Sequence, residues 1–113
     1  MADVVYIDEA EGIKRLMNNG KLYAEILAKF KSDTNPAALE RAAVAADWEN
    51  AQAQAHSIKG VAANLALHEL CKHAGNIETQ VKGKSLAPRS LEQFNACFAQ
   101  TLLEVDKVIA KYA

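Results

Sequence analysis

Apolar residues recur along most of the chain at intervals of three and four, the spacing that lines one face of an α-helix. Polar, glycine and proline punctuation cuts this pattern into successive segments. Asp8 followed by Glu11 reads as a helix start in the capping-box style, with Ile13, Leu16 and Met17 as its short apolar face and Asn18-Asn19-Gly20 as its end. From Lys21 on, Leu22, Tyr23, Ile26, Leu27 and Phe30 fall at helical spacing as far as Ser32-Asp33-Thr34. Asn35 before Pro36 is a start signal, since proline at the first helical position loses no hydrogen bond; this alanine-rich segment should run to Ala46. Asp47 caps a further helix over Trp48 to about Leu65, and another spans about Leu67 to Val81, broken by Lys82-Gly83-Lys84-Ser85. After Pro88, Leu91, Phe94, Phe98, Leu102, Val105, Ile109 and Tyr112 describe a long amphipathic helix.

Helices of this length joined by short connections pack as an antiparallel bundle. The expected fold is therefore all-α: an antiparallel four-helix bundle with one or two additional short N-terminal helices, forming a single domain over residues 1–113. The segment from Lys21 and the four after it are expected to supply the walls. Composition agrees. Twenty-two of the 113 residues are alanine and only 6% are aromatic, which favours helices over strands.

Charge and cysteine content narrow the function class. Thirteen basic and fourteen acidic residues leave a formal charge of -1, which argues against nucleic acid as the main partner. No apolar run approaches the roughly 18–20 residues that span a bilayer, and Met1-Ala2-Asp3-Val4 opens without the apolar region of a signal peptide. A cytoplasmic protein with no membrane partner is expected, with Cys71 and Cys97 as thiols rather than a disulfide. His68 and His73 lie five apart with Cys71 between them, a spacing that matches no metal motif, so no metal is expected. Trp48 reads as a plug between helices, and the absence of a Gly-rich phosphate loop argues against direct use of ATP.

The informative helix is the one from Trp48. At about 100° per residue, Ala51, Ala55, Ile58, Ala62 and Leu65 cluster on one side, with Val61 at the edge. His56 lies opposite this core stripe, flanked by Gln52, Lys59, Gly60 and Ala63. Lys59 and Gly60, three and four residues on, share its patch. Glycine inside a helix costs up to roughly 1 kcal/mol relative to alanine, and close approach of another surface is the usual physical reason to keep it. An imidazole beside an ammonium group, on a helix side stripped of bulk, suits a histidine that carries an anionic group and must be reached by a partner.

Ala55-His56-Ser57-Ile58-Lys59-Gly60-Val61-Ala62-Ala63-Asn64-Leu65 resembles the signature of histidine-containing phosphotransfer domains, the relay modules of multistep two-component signalling. The likeness extends from Gly20-Lys21-Leu22-Tyr23 and Phe30 through Asp47-Trp48 to Leu70-Cys71 and Ile77-Glu78. Two positions depart from the family pattern: Val61 stands where alanine or serine is frequent, and Ala66 where glycine is usual. The resemblance implies a four-helix bundle whose phosphoacceptor helix is 48–65 and whose His56 takes a phosphoryl group from a receiver-domain aspartate and passes it to another. An imidazole at its ordinary pKa of about 6.5 has a nitrogen available as nucleophile at neutral pH. Phosphoryl transfer needs mainly positioning and charge stabilisation, part of which Lys59 supplies.

By the same resemblance, Glu78 on the next helix orients the imidazole, and Lys82 comes near the same patch one turn on. The other reading of Glu78 is a solvated residue paired with Lys82. Implied partners are response-regulator receiver domains and hybrid histidine kinases. No cofactor is expected on this chain, Mg²⁺ belonging to the receiver, and a solitary carrier of this kind is a monomer. Two other readings remain: a non-phosphorylated adaptor that binds receivers through this patch, and the phosphoacceptor domain of a chemotaxis-type kinase, which would carry ATP-binding and dimerisation domains as well. Retention of both His56 and Lys59 favours the carrier.

Overall fold

The structure is a computed structural model and describes residues 4–34 and 36–112. Six helices follow one another: α1 (Glu9–Arg15), α2 (Gly20–Asp33), α3 (Pro36–Val44), α4 (Trp48–Asn64), α5 (His68–Lys82) and α6 (Pro88–Tyr112). There is no strand among the described residues. Three helix starts are fixed by short polar side chains. Asp8, Asn19 and Asp47 accept the backbone N–H groups of Glu11, Leu22 and Asn50 at 3.1, 3.0 and 3.3 Å. The Asp8–Glu11 box is one-sided, because the Glu11 carboxylate turns to Arg15 and His68 instead. The Asp8 N–H donates to the Ala66 carbonyl. Asn35, expected to cap α3, lies outside the described residues.

Helix ends depart from expectation. Gly20 and Gly83 do not terminate helices through a left-handed turn, since no glycine has a positive φ. Gly20 opens α2, where a Cβ would run into the Tyr112 ring. Left-handed backbone falls instead on Met17, Asn18, Ala46, Ala66 and Lys84. The last three close α3, α4 and α5 in the Schellman pattern, with Asp47 N–H donating to Ala42 O (2.9 Å), Leu67 N–H to Ala62 O (2.8 Å) and Ser85 N–H to Gln80 O (3.3 Å).

Helices α2, α4, α5 and α6 form the bundle. The three-residue turn 65–67 reverses α4 into α5 and the loop 83–87 reverses α5 into α6. Gly20 lies against Tyr112, and the Phe30 and Phe98 rings stand 5.9 Å apart, so α2 and α6 also run antiparallel. The Tyr23 hydroxyl donates to the Leu65 carbonyl at 2.6 Å, which places the end of α4 beside the start of α2. Tyr23, Leu27, Leu70, Ile77, Phe94 and Val105 are fully buried at the centre. Of the five segments expected as walls, α3 is only nine residues long and serves as a flank on α4, burying Leu39 and Ala42. It therefore follows the first wall, and α1 alone is the extra N-terminal helix. Trp48 is half-buried at the edge of the core. Cys97 is buried, Cys71 half-buried, and neither is in a disulfide. None of the described helices is long and apolar enough to cross a membrane.

Candidate functional site

Alanines decide the geometry of the α4–α5 seam. Ala51, Ala55 and Ala62 of α4 and Ala74 of α5 are all fully buried, and with only a methyl group between the backbones a side chain from one helix can reach the outer face of the other. Glu78 uses this closeness. It sits between Ile77 and Val81 on the buried side of α5, only 5% exposed, yet its carboxylate emerges under His56. One oxygen, Oε2, lies 3.0 Å from His56 Nδ1, and the other, Oε1, lies 3.0 Å from Lys59 Nζ. No buried side-chain polar atom is left without a partner among the described residues.

The protonation pattern follows from this arrangement. The Lys59 ammonium holds the Glu78 carboxyl below its ordinary 4.5, burial pulls the other way, and the His56 hydrogen bond adds to the lowering. An ionised carboxylate only accepts, so Nδ1 carries the proton and donates to Oε2. In the neutral ring the lone pair then sits on Nε2. The His56 side chain is 70% exposed, as the helical phase predicts, which leaves Nε2 open to an incoming electrophile. The reading of Glu78 as a solvated partner of Lys82 is overturned: the residue is buried and its two oxygens go to α4.

Lys82 is exposed and makes no ion pair with Glu78. It lines a hollow of about 430 Å³ together with Glu49, Gln52, Ala53, His56 and Glu78. Gln52 is half-buried on the same face. Lys59, Gly60 and Ala63 continue the patch toward the end of α4. Gly60 is exposed, and apart from its chain neighbours and the adjoining backbone of its own helix no atom of the described residues comes within 4 Å of where its Cβ would be. Ala63 is exposed as well, and its carbonyl accepts the Arg15 Nη1–H at 3.0 Å, so α1 borders the patch. A second, mostly apolar hollow of about 270 Å³ between α2 and α4, lined by Ile26, Lys29, Phe30, Thr34, Val61 and Leu65 among others, does not include His56.

A family model described as Hpt domain matches residues 25–105, well over half of the chain. The chain belongs to the Hpt domain family. No curated protein and no solved structure gives a significant match. Hpt domains are helical bundles that carry phosphoryl groups in phosphorelays and are not enzymes in the ordinary sense. The matched region of this Hpt domain starts inside α2, so α1 lies outside it.

Gly75 of α5, which was not singled out in the sequence, lies beside Lys59. A Cβ there would lie 3.4 Å from Lys59 Cδ. The signal was present: a glycine inside a helix, the same feature that drew attention to Gly60. A second cluster, Asp8, Glu11 and His68, brings one ligand-type atom from each residue within 4.8 Å of the others. Its polar groups already serve one another and Arg15, with His68 Nε2 2.9 Å from Glu11 Oε2.

Proposed function

We propose that this Hpt domain is a phosphorelay intermediate whose phosphoacceptor is Nε2 of His56. A receiver domain presents an aspartyl phosphate, and the Nε2 lone pair attacks phosphorus. The N–P bond forms as the P–O bond to the aspartate breaks, and the aspartate leaves as a free carboxylate. Return to a second receiver runs the same step backwards. Throughout, the Nδ1 proton stays between the ring and Glu78. The imidazolium formed on attack is thus met by a carboxylate already in place, with no proton to be relocated.

The observation that carries this reading is the Nδ1–Glu78 contact at 3.0 Å on a ring otherwise open to solvent. It selects one nitrogen and directs it outward. Lys59 and Lys82 supply positive charge near the transferring phosphoryl oxygens, and Gln52 adds a polar edge. Gly60 and Ala63 keep the approach low for the receiver's loops, which on this reading bring the Mg²⁺ and the remaining catalytic groups. The chain itself uses no cofactor. Its partners are receiver domains, including those of hybrid kinases, and it acts as a cytoplasmic monomer.

Phosphotransfer from a panel of phosphorylated receiver domains tests the reading, with wild type compared against His56→Gln. Acid-labile label is expected on the wild type alone. Because the ring is mostly solvated and Lys59 still holds Glu78, the mutant should keep its helicity, with only a small drop in melting temperature from the lost Glu78 contact. Label surviving in the mutant would reassign the acceptor. A folded wild type that binds a receiver and never takes label would leave an adaptor.

A further inference from the structure

Two glycines interrupt the helices at this site, and the space beside each is used differently. Beside Gly60 there is nothing, so the vacancy faces outward. Beside Gly75 the only described atom within 4 Å of a Cβ position, outside its own helix and its neighbours, is Cδ of Lys59. No backbone atom of α4 lies that close, so the gap does not serve helix-to-helix contact. It serves one side chain. Lys59 leaves α4, lies across α5 at Gly75, and ends with Nζ on Glu78 Oε1 one turn further along. The residue in between could not carry a long side chain without pushing the lysine stem away.

We propose that Gly75 is a positioning residue for the phosphoacceptor: the space its side chain would fill seats the stem of Lys59, Lys59 thereby holds Glu78, and Glu78 holds the His56 ring in the tautomer that frees Nε2. The inference rests on the reading of His56 as the acceptor. It adds that Lys59 acts before any phosphate arrives. In the resting protein its ammonium is the counter-ion of a buried carboxylate rather than a solvated charge awaiting a substrate. Once the ring carries a phosphoryl group, the dianion competes with Glu78 for the same ammonium.

The geometry sets a threshold in side-chain size. A Cβ at 3.4 Å from Cδ is an ordinary contact, so Gly75→Ala fits and also removes an interior helical glycine. A longer side chain adds further atoms next to a Cβ already in contact with the stem, and crowding there should displace it. Gly75→Leu and Gly75→Gln, one apolar and one polar, should therefore behave alike and unlike Gly75→Ala.

The experiment is ¹⁵N NMR of the His56 imidazole in the unphosphorylated full chain, with phosphotransfer rates measured alongside. Wild type and Gly75→Ala should show a single tautomer with the proton on Nδ1. Gly75→Leu, Gly75→Gln and Lys59→Ala should each show a mixed population. Transfer to the latter three should fall by about tenfold, the loss of one charge-assisted hydrogen bond. The deciding variants combine Lys59→Ala with Gly75→Leu or Gly75→Gln. With the lysine gone, the bulk at 75 has nothing to displace, so the doubles should match Lys59→Ala alone. A full additional loss in both doubles, or an unchanged ring in both folded long-chain variants, would overturn the role of Gly75. The ring measurement needs no phosphate, so it stands even if no receiver ever labels the wild type, which would instead sink the reading of His56 as acceptor. Circular dichroism verifies that each variant is helical, and the polar Gln variant serves if Leu disturbs the seam.

Discussion

Two regions of this Hpt domain are each fastened by a carboxylate with a lysine partner, and they use it for different ends. At the α4–α5 seam, Glu78 is buried and both of its oxygens are committed, one to His56 and one to Lys59. At the N-terminal clasp, Glu9 of α1 reaches the far end of α6, where Lys111 Nζ and the Tyr112 hydroxyl lie 2.8 and 3.1 Å from Oε2. Both carboxyls sit below their ordinary pKa, each chiefly because of its lysine. Exposure separates them. Water screens the clasp and can replace either partner, so the pair guides α1 without holding the fold. Water cannot reach Glu78 in the same way, so its partners are obligatory, and the cost of burying the charge is offset only while both stay in place. A buried charge kept in this manner is a weak stabiliser and a strong positioner, which suits a site whose task is to aim one nitrogen.

The largest expected difference comes from breaking the carboxylate–lysine pair at each end. Lys59→Ala leaves a buried carboxylate with His56 as its only partner and should lower unfolding free energy by about 1–2 kcal/mol, below the full cost of orphaning a buried charge because the imidazole remains. Glu78→Ala should cost less stability, since it leaves a solvated ammonium, a mostly exposed imidazole and no buried orphan, yet it should slow phosphotransfer at least as much. Glu9→Gln should change stability less than Lys59→Ala. Urea denaturation of the three variants at neutral pH measures the stabilities, and phosphotransfer from a phosphorylated receiver measures the rate. Equal losses at the two ends would mean that burial is not what distinguishes them.

The four longer helices were legible in the sequence because each carries a periodic apolar stripe, and the short α1 and α3 because they begin at Asp and Asn-Pro signals. His56 was legible for the same reason: seventeen residues of α4 fix a helical phase well enough to place it opposite Ala51, Ala55 and Ala62. Glu78 was harder. Its spacing from Lys82 matches a surface ion pair, and its spacing from Ala74 and Val81 matches the core face; only the closeness allowed by facing alanines on another helix decides between them. Helix ends were read least well. Glycine at the left-handed position is a preference worth roughly 1–2 kcal/mol, and here Ala46, Ala66 and Lys84 take that conformation under the pull of Schellman hydrogen bonds. Gly75 was missed because its value depends on where the Lys59 stem runs, which no pattern on α5 alone can show.

Acid sharpens the comparison between the ends with a smaller effect. A carboxyl whose folded pKa is depressed adds stability that is present above its ordinary value of 4.5 and is lost as pH falls through the folded value. The stability gap between wild type and Glu78→Gln, open at pH 7, should therefore narrow progressively once pH drops below about 4.5. A Glu9→Gln gap should narrow in the same direction. Raising salt separates them. At about 1 M ionic strength, where the Debye length is near 3 Å, the Glu9 gap should vanish and the Glu78 gap persist. Loss of both in salt would place Glu78 in water.

The smallest effect lies at the joint between the two regions, where α4 ends. Ala66 holds φ at 59°, is completely buried, and its carbonyl accepts the Asp8 N–H at 2.9 Å, so the clasp hangs from a residue in strained backbone. A left-handed conformation costs an L-residue roughly 1–2 kcal/mol, which glycine avoids. Ala66→Gly also removes a buried methyl group worth about 0.8 kcal/mol and raises the entropy of the unfolded chain. These terms oppose one another, and the substitution should leave the melting temperature nearly unchanged. Lys84 has the same φ of 59° at the end of α5, but it is exposed and buries nothing. Lys84→Gly should therefore stabilise by about 0.5 kcal/mol, the strain relieved less the added chain entropy. Thermal melts of the two glycine variants side by side measure the difference. A larger gain at 66 than at 84 would mean that the Ala66 methyl adds nothing to the joint.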